Sequence, residues 1–217
     1  DPKYIGVETG GISGGTGNKI QIHSVGYPVS SYYVMKQVYD EAGKPIEGAY
    51  VDLNGDGQIS DADKYRFHKP AHDYIMGLSS KMLLGAWDLS FNARCNLGGY
   101  LYNNVQSKLE ALNDSYDTSG FLKNRISSAL NTNFNGTQYL SDYYIQDASF
   151  LRIDNITLGY TFDKAFKSNA NLRLFVTAQN PVLITNYTGL DPEITGGIDN
   201  NIYPRPTIVL AGLTLNF

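Results

Sequence analysis

The chain has 217 residues, a formal net charge of −4, 42% hydrophobic and only 18% charged residues, enough for one β domain or for a piece of something larger. An acidic balance without a Lys/Arg cluster removes the attraction that DNA or RNA binding needs, and the single cysteine, Cys95, excludes an intramolecular disulfide framework and a cysteine-based zinc site. Seventeen Tyr, nine Phe and 22 Gly point to mostly β structure, since aromatic residues suit pleated surfaces and glycine suits turns. No apolar run of about 18 residues is present to form a spanning helix. That limit does not bear on a membrane β-barrel, whose strands alternate instead. The chain begins at Asp1 without a charged-then-apolar leader, so any signal peptide is expected to have been removed or to lie upstream.

Residues 1–25 read as a loop or partial strand. Within them GGISGGTGNK, Gly10 to Lys19, has the glycine density of a phosphate-binding loop, but Asn18 separates Gly17 from Lys19 and no apolar strand precedes it. A flexible loop is the expectation. The tyrosine-rich run Gly26 to Tyr39 makes a first candidate strand. The polar connection Asp40 to Ala71 follows.

That connection holds VDLNGDGQISDAD, Val51 to Asp63, whose spacing matches a calcium loop. Asp52, Asn54 and Asp56 stand at the first, third and fifth positions, Gly57 at the sharp turn, Gln58 where a backbone carbonyl is offered, and Asp63 at the twelfth. Hard oxygen donors at that spacing suit Ca²⁺. A shorter Asp replaces the usual Glu at the last position, so affinity is expected to be modest. The competing interpretation is an Asn-Gly/Asp-Gly turn that needs no metal, with Ser60 and Asp61 as helix-capping residues.

Strict alternation comes next. Tyr74, Met76, Leu78, Ser80, Met82 and Leu84 form one face of a strand, then Trp87, Leu89, Phe91, Ala93 and Cys95 alternate with Asp88, Ser90, Asn92, Arg94 and Asn96. With only a residue or so near Gly85 between them, the pair reads as a tight hairpin separating an oily environment from a wet one. The long connection 98–149 is polar and predicts short helices at Asn104 to Leu112 and Gly120 to Leu130. Tyr100 and Tyr102 read as an aromatic girdle at a membrane interface. Tyr139, Tyr143 and Tyr144 read either as girdle or as contacts to a ligand or a lid protein.

Phe150 to Phe162 places Ile156, Leu158, Tyr160 and Phe162 on one face. Asn171 to Thr185 does the same with Leu172, Leu174, Val176 and Ala178, and Thr207 to Phe217 with Val209, Ala211, Leu213, Leu215 and Phe217. Arg94, Arg152, Asp154 and Arg173 fall on the polar side, where charges pair or stay hydrated. Short turns alternating with long polar connections are the pattern of an outer-membrane barrel. About six strands cannot close one, and an open edge cannot stand in lipid, so the chain is expected to be a fragment. His23, His68 and His72 lack partners at metal-ligand spacing, and neither a Gly-x-Ser-x-Gly elbow nor a carboxylate pair anchors a hydrolase. No catalytic residue is expected.

Four stretches, GYPVSSYYVMKQVYD, VDLNGDGQISDADKYRF, SFLRIDNITLGYTF and VTAQNPVLITNYTGLDPEI running on to IYPRPTIVLAGLTLNF, resemble the C-terminal part of the SusC/RagA-like TonB-dependent transporters of the Bacteroidetes. They span residues 26–217. One minor departure is Thr207 directly after YPRP. The resemblance implies an all-β fold: C-terminal strands of a large antiparallel barrel, of about 22 strands when complete, with long extracellular loops and a plug supplied elsewhere. It implies TonB-dependent import of an oligosaccharide or peptide across the outer membrane with a SusD-like surface lipoprotein, contact with lipid and lipopolysaccharide, no enzymatic activity, and a role for Phe217 as an assembly signal. The alternative is a secreted, calcium-dependent, β-rich carbohydrate-binding or adhesion domain.

Overall fold

The computed structural model describes residues 6–12, 18–165 and 170–217, so residues 13–17 of the Gly10 to Lys19 loop lie outside the described residues. In chain order the strands are β1 (Val7–Gly11), β2 (Lys19–His23), β3 (Ser31–Val34), β4 (Gln37–Tyr39), β5 (Pro45–Tyr50), β6 (Tyr65–Phe67), β7 (Tyr74–Leu84), β8 (Trp87–Leu97) and β9 (Tyr100–Asn103). Helices α1 (Asn104–Leu109) and α2 (Ala129–Thr132) follow, then β10 (Ile145–Asp147), β11 (Phe150–Ala165), β12 (Ala170–Thr185), β13 (Ile198–Asp199) and β14 (Ile208–Asn216). Among the described residues no helix is long and apolar enough to cross a membrane. The chain forms two compact units.

The first unit, His72–Gly98, Ser149–Asn186 and Tyr203–Phe217, is one antiparallel sheet in the order β14-β12-β11-β8-β7. Its register stacks the alternating residues into rows. Met82, Leu89, Leu158, Val176 and Ala211 make one row, and Ser80, Phe91, Ile156, Ala178 and Val209 the next. Leu84, Trp87, Tyr160, Leu174 and Leu213 lie at the end beside the Gly85–Ala86 turn. These side chains are exposed or half-buried, Val209 at 69% and Leu213 at 68% exposed, a face that water would penalise and hydrocarbon would not. β7 has 11 residues, about 33 Å of strand, which at a barrel tilt of about 40° spans about 25 Å, the height of an outer-membrane apolar band.

The opposite face carries paired polar groups across its central strands, with Ile75 and Leu83 of β7 and Ile208 and Leu210 of β14 exposed on the edge strands. Arg173 donates to Asp88 through Nε at 2.8 Å and Nη2 at 2.6 Å, and Arg94 to Asp154 through Nε at 2.7 Å and Nη2 at 2.8 Å. The first pair passes over Gly159, where a Cβ would overlap both Asp88 and Arg173. Thr157 and Thr177 hydroxyls meet at 2.7 Å.

Pairing along the central strand is irregular at two places, between Phe162 and Ala165 near its end and between Ile153 and Asn155 inside the sheet. Ile153 pairs with Ala93 and Val182, and Asn155 with Asn92 and Gln179, so Asp154 is an extra residue on β11. This bulge reverses parity: Leu151 and Ile153 before it share the apolar face with Ile156, Leu158 and Tyr160 after it. On β12 the irregularity falls at Asn180, with φ of 49°, and Pro181, where a missing N–H costs no ladder bond.

Gly26 to Tyr39 is not a sixth strand of this sheet. It forms β3 and β4 of the other unit, and Ser31, Tyr32, Tyr33 and Val34 are all buried. A strand covered on both sides belongs inside a core and not at a lipid–water boundary.

The second unit gathers the three long connections, Asp1–Ala71, Gly99–Ala148 and Tyr187–Ile202. They are folded and not merely polar loops. The first supplies the sheet β1-β2-β3-β6 and the β4–β5 pair, and β10, β9 and β13 form a third sheet, with β13 parallel to β9. Ile12, Ile20, Tyr32, Val34, Tyr102, Phe134, Tyr144 and Ile145 make a common core, with Ile198 of the third connection packed against it. The Tyr32 hydroxyl donates to the carbonyls of Tyr100 at 2.8 Å and Gly197 at 2.6 Å, tying all three connections together. Asn103 caps α1 by accepting from Gln106 N–H at 2.9 Å. The helix expected at Gly120 to Leu130 is absent, and only Ala129–Thr132 coils, stopped by Asn133 in the left-handed region.

Candidate functional site

The calcium-like loop joins β5 to β6. Gly57 has φ of 80°, the conformation a side chain would oppose, and this wraps the loop around its own acceptors. Asp52 accepts from the N–H groups of Gly55 at 2.7 Å and Gly57 at 2.8 Å. Asn54 Oδ1 accepts from Asp56 N–H and Asp56 Oδ1 from Gln58 N–H, each at 2.8 Å, while the Asn54 amide donates to Asp56 Oδ2 at 3.0 Å.

Asp63 is fully buried and takes N–H groups from Leu53, Asn54 and Ser60 at 2.9, 3.3 and 2.8 Å. It also completes a capping box with Ser60. The Ser60 N–H foremost, then those of Leu53 and Asn54, hold the Asp63 carboxyl below the usual carboxylate range. Its clamp is therefore complete above the unfolded carboxylate value of about 3.9 and is lost only as pH falls through the lower folded value. Among the described residues no three His, Cys, Asp or Glu side chains converge as a metal-holding group. The donor types suit calcium, and the loop as it stands is ordered by its own amides.

The tyrosines separate by burial. Tyr102 is fully buried and donates to the Tyr139 carbonyl at 2.7 Å, and Tyr100 stacks on His68 with ring centroids 3.7 Å apart. Neither is a girdle residue, because both belong to the unit built from the connections. Beside the hairpin turn the apolar face ends in Trp87, Tyr160 and Phe162, in edge-to-face contact at 4.8 and 4.6 Å, and Tyr74 stands exposed at its other end. Tyr144 is also fully buried, packed edge-on against Tyr102 and Tyr143 at 6.1 and 5.0 Å, and has no surface to offer a ligand or lid. Tyr139 and Tyr143 remain part-exposed. Burial first, and nearby Glu110 second, push the Tyr143 hydroxyl up to about 12. Phe217 lies beyond β14 and is fully exposed.

Tyr143 borders a cavity of about 680 Å³ within the second unit, lined also by Gln106 of α1, Asn131 of α2, Gln146 of β10 and Thr188 and Asn201 of the third connection. Gln146 Oε1 accepts from the Thr188 hydroxyl at 2.7 Å and N–H at 3.1 Å, and its amide donates to Gln106 Oε1 at 2.7 Å. The sequence gives no sign of this grouping, since the residues stand tens of positions apart in unpatterned polar stretches.

No family model matches the sequence. The chain is 46% identical to the TonB-dependent receptor SusC of Bacteroides thetaiotaomicron, over 95% of this chain and 21% of SusC. It is 29% identical to the TonB-dependent receptor P3 of Formosa agariphila, over 77% of this chain and 19% of P3. In fold it matches a chain of the solved RagAB peptide transporter with a TM-score of 0.71 at 22% identity, over 93% of this chain and 24% of that one. The RagAB peptide importer in its closed-closed state gives 0.69. The chain thus spans about a fifth of the length of the curated relatives it matches. With that identity along nearly its whole length and an apolar-faced antiparallel sheet of matching fold, the chain belongs, as a C-terminal barrel segment, to the SusC/RagA-like TonB-dependent receptors of the outer membrane.

Proposed function

We propose that the protein to which this segment belongs imports a nutrient, an oligosaccharide or a peptide, across the outer membrane. TonB supplies the energy, a SusD-like lipoprotein delivers the cargo, and no bond of the cargo is broken. The observation that carries this is 46% identity to a TonB-dependent receptor over 95% of the chain. The sheet is consistent with it. Its apolar rows suit lipid and lipopolysaccharide acyl chains, and its paired charges suit a hydrated lumen. β7 and β14 each have one unpaired edge, which further barrel strands are proposed to cover, because open backbone is not tolerated in hydrocarbon. The long connections then face the outside. A secreted adhesion domain has no use for five strands of exposed apolar rows. Cells carrying the full-length protein are expected to accumulate a labelled nutrient only when TonB is intact. Equal uptake without TonB would overturn the proposal.

We further propose that the loop of residues 52–63 takes one Ca²⁺ as a brace, with Asp52, Asn54, Asp56, Asp63 and the Gln58 carbonyl as donors. Support comes from the donor spacing, the left-handed Gly57 and the closeness of Asp52 to Asp63. Calcium is expected to raise the thermal midpoint of the full-length protein, and the double substitution Asp52→Ala/Asp56→Ala to abolish that rise. A wild-type midpoint indifferent to calcium would leave a turn held by its own amides.

A further inference from the structure

We infer that the cavity beside Tyr143 is a subsite for a neutral, polyhydroxylated ligand, a short oligosaccharide and not a peptide. The inference rests on the import proposal, since it names the class of cargo that the protein meets at this surface. About 680 Å³ is room for several sugar rings and falls within the range of small-molecule sites.

The lining chemistry selects the ligand. None of the lining side chains is cationic, and the only carboxylate among them, Asp199, already accepts from the Tyr187 hydroxyl at 2.6 Å and Asn201 N–H at 3.0 Å. Peptide termini and charged side chains would enter without counter-ions, at a desolvation cost nothing in the cavity offsets. A neutral ligand has no such cost.

Hydroxyl groups, by contrast, find both donors and acceptors. The chain from Thr188 through Gln146 to Gln106 fixes both amides, and Gln106 in turn donates to Glu110 Oε1 at 3.2 Å. One Gln146 amide hydrogen and one Gln106 carbonyl lone pair are left over. Ser128 Oγ, also in the lining, is buried without a hydrogen-bond partner among the described residues. Buried polar groups are rarely left so, and a ligand hydroxyl would satisfy it. Tyr143, with Val105 and Leu190, adds an apolar wall against which the C–H face of a sugar ring packs as it does on aromatic rings generally.

Titration calorimetry on the full-length protein in detergent tests this, with linear hexamers of glucose, mannose and xylose and a hexa-alanine peptide as probes. At least one sugar hexamer is expected to bind and the peptide not to. Tyr143→Ala and Gln146→Leu are each expected to weaken the sugar about tenfold, through loss of the packing wall or of a buried hydrogen bond. Tyr143→Phe, which keeps the ring and the fold, is expected to stay within about threefold. The inference is overturned if no sugar binds, if sugar affinity ignores both changes, or if the peptide binds and is weakened by them. TonB-dependent uptake, measured alongside, keeps the two proposals apart. Uptake that persists while the cavity changes do nothing removes only the subsite, and uptake that is equal without TonB removes the import proposal itself.

Discussion

Arginine at Leu89 is expected to destabilise the folded barrel by about 2–4 kcal/mol, while Asn92→Arg is expected to stay within about 0.5 kcal/mol. The two positions sit three residues apart on β8 and on opposite faces. Leu89 lies in a row with Met82, Leu158, Val176 and Ala211, one step from the middle of β7, so the guanidinium would enter hydrocarbon with no acceptor in reach. Asn92 lies between Ser79 and Asn155 and already bonds the latter at 3.2 Å, a setting in which a charge finds polar company. Depth sharpens the expectation. Leu213 shares the row of Trp87 beside the hairpin turn, so Leu213→Arg is expected to cost only about 0–1 kcal/mol, as near an interface. Urea unfolding of the full-length protein in phospholipid vesicles reads all three. Equal costs at Leu89 and Asn92 would contradict a lipid-facing assignment.

Tyr144→Ala is expected to cost about 3–5 kcal/mol in the unit built from the connections, the loss for a large buried ring. Tyr144 is fully buried among Tyr102, Tyr143 and Phe134, so its removal leaves a cavity in the common core. Hydrogen exchange on the full-length protein is expected to show lost protection across residues 99–148 with β8, β11 and β12 unchanged. Tyr139→Ala, at a part-exposed position, is expected to leave protection nearly intact. Unaltered exchange in Tyr144→Ala would restore that side chain as a candidate surface contact.

Strands with unbroken period two were legible from residues alone. The β7–β8 hairpin turns within a residue of where Gly85 suggests, and Leu172 to Ala178 and Val209 to Leu215 fall on the apolar face as their alternation implies. Sequence reasoning missed what one-dimensional patterns do not encode. A bulge is silent in the pattern because Arg152, Asp154 and Asn155 are all polar, so the parity reversal at Asp154 emerges only from pairing to β8 and β12. Tyr102 and Tyr144 looked like surface aromatics because their neighbours in sequence are polar, and their burial comes from Ile20, Tyr32 and Phe134 far along the chain. Asp63 keeps its place as a proposed calcium donor, and its further use in a capping box goes beyond the Ser60 and Asp61 caps that the sequence suggests, because it depends on the single turn Asp61–Asp63.

A nitroxide scan along β11 of the full-length protein in a bilayer, with Cys95 first changed to Ser, tests the lipid face most directly. Labels at Ile156, Leu158 and Tyr160 are expected to meet a lipid-soluble relaxing agent and those at Asn155 and Thr157 a water-soluble one. The order should reverse across Asp154, with Leu151 and Ile153 in lipid and Arg152 in water. An uninterrupted alternation would contradict the bulge, and the absence of any alternation would contradict the membrane barrel.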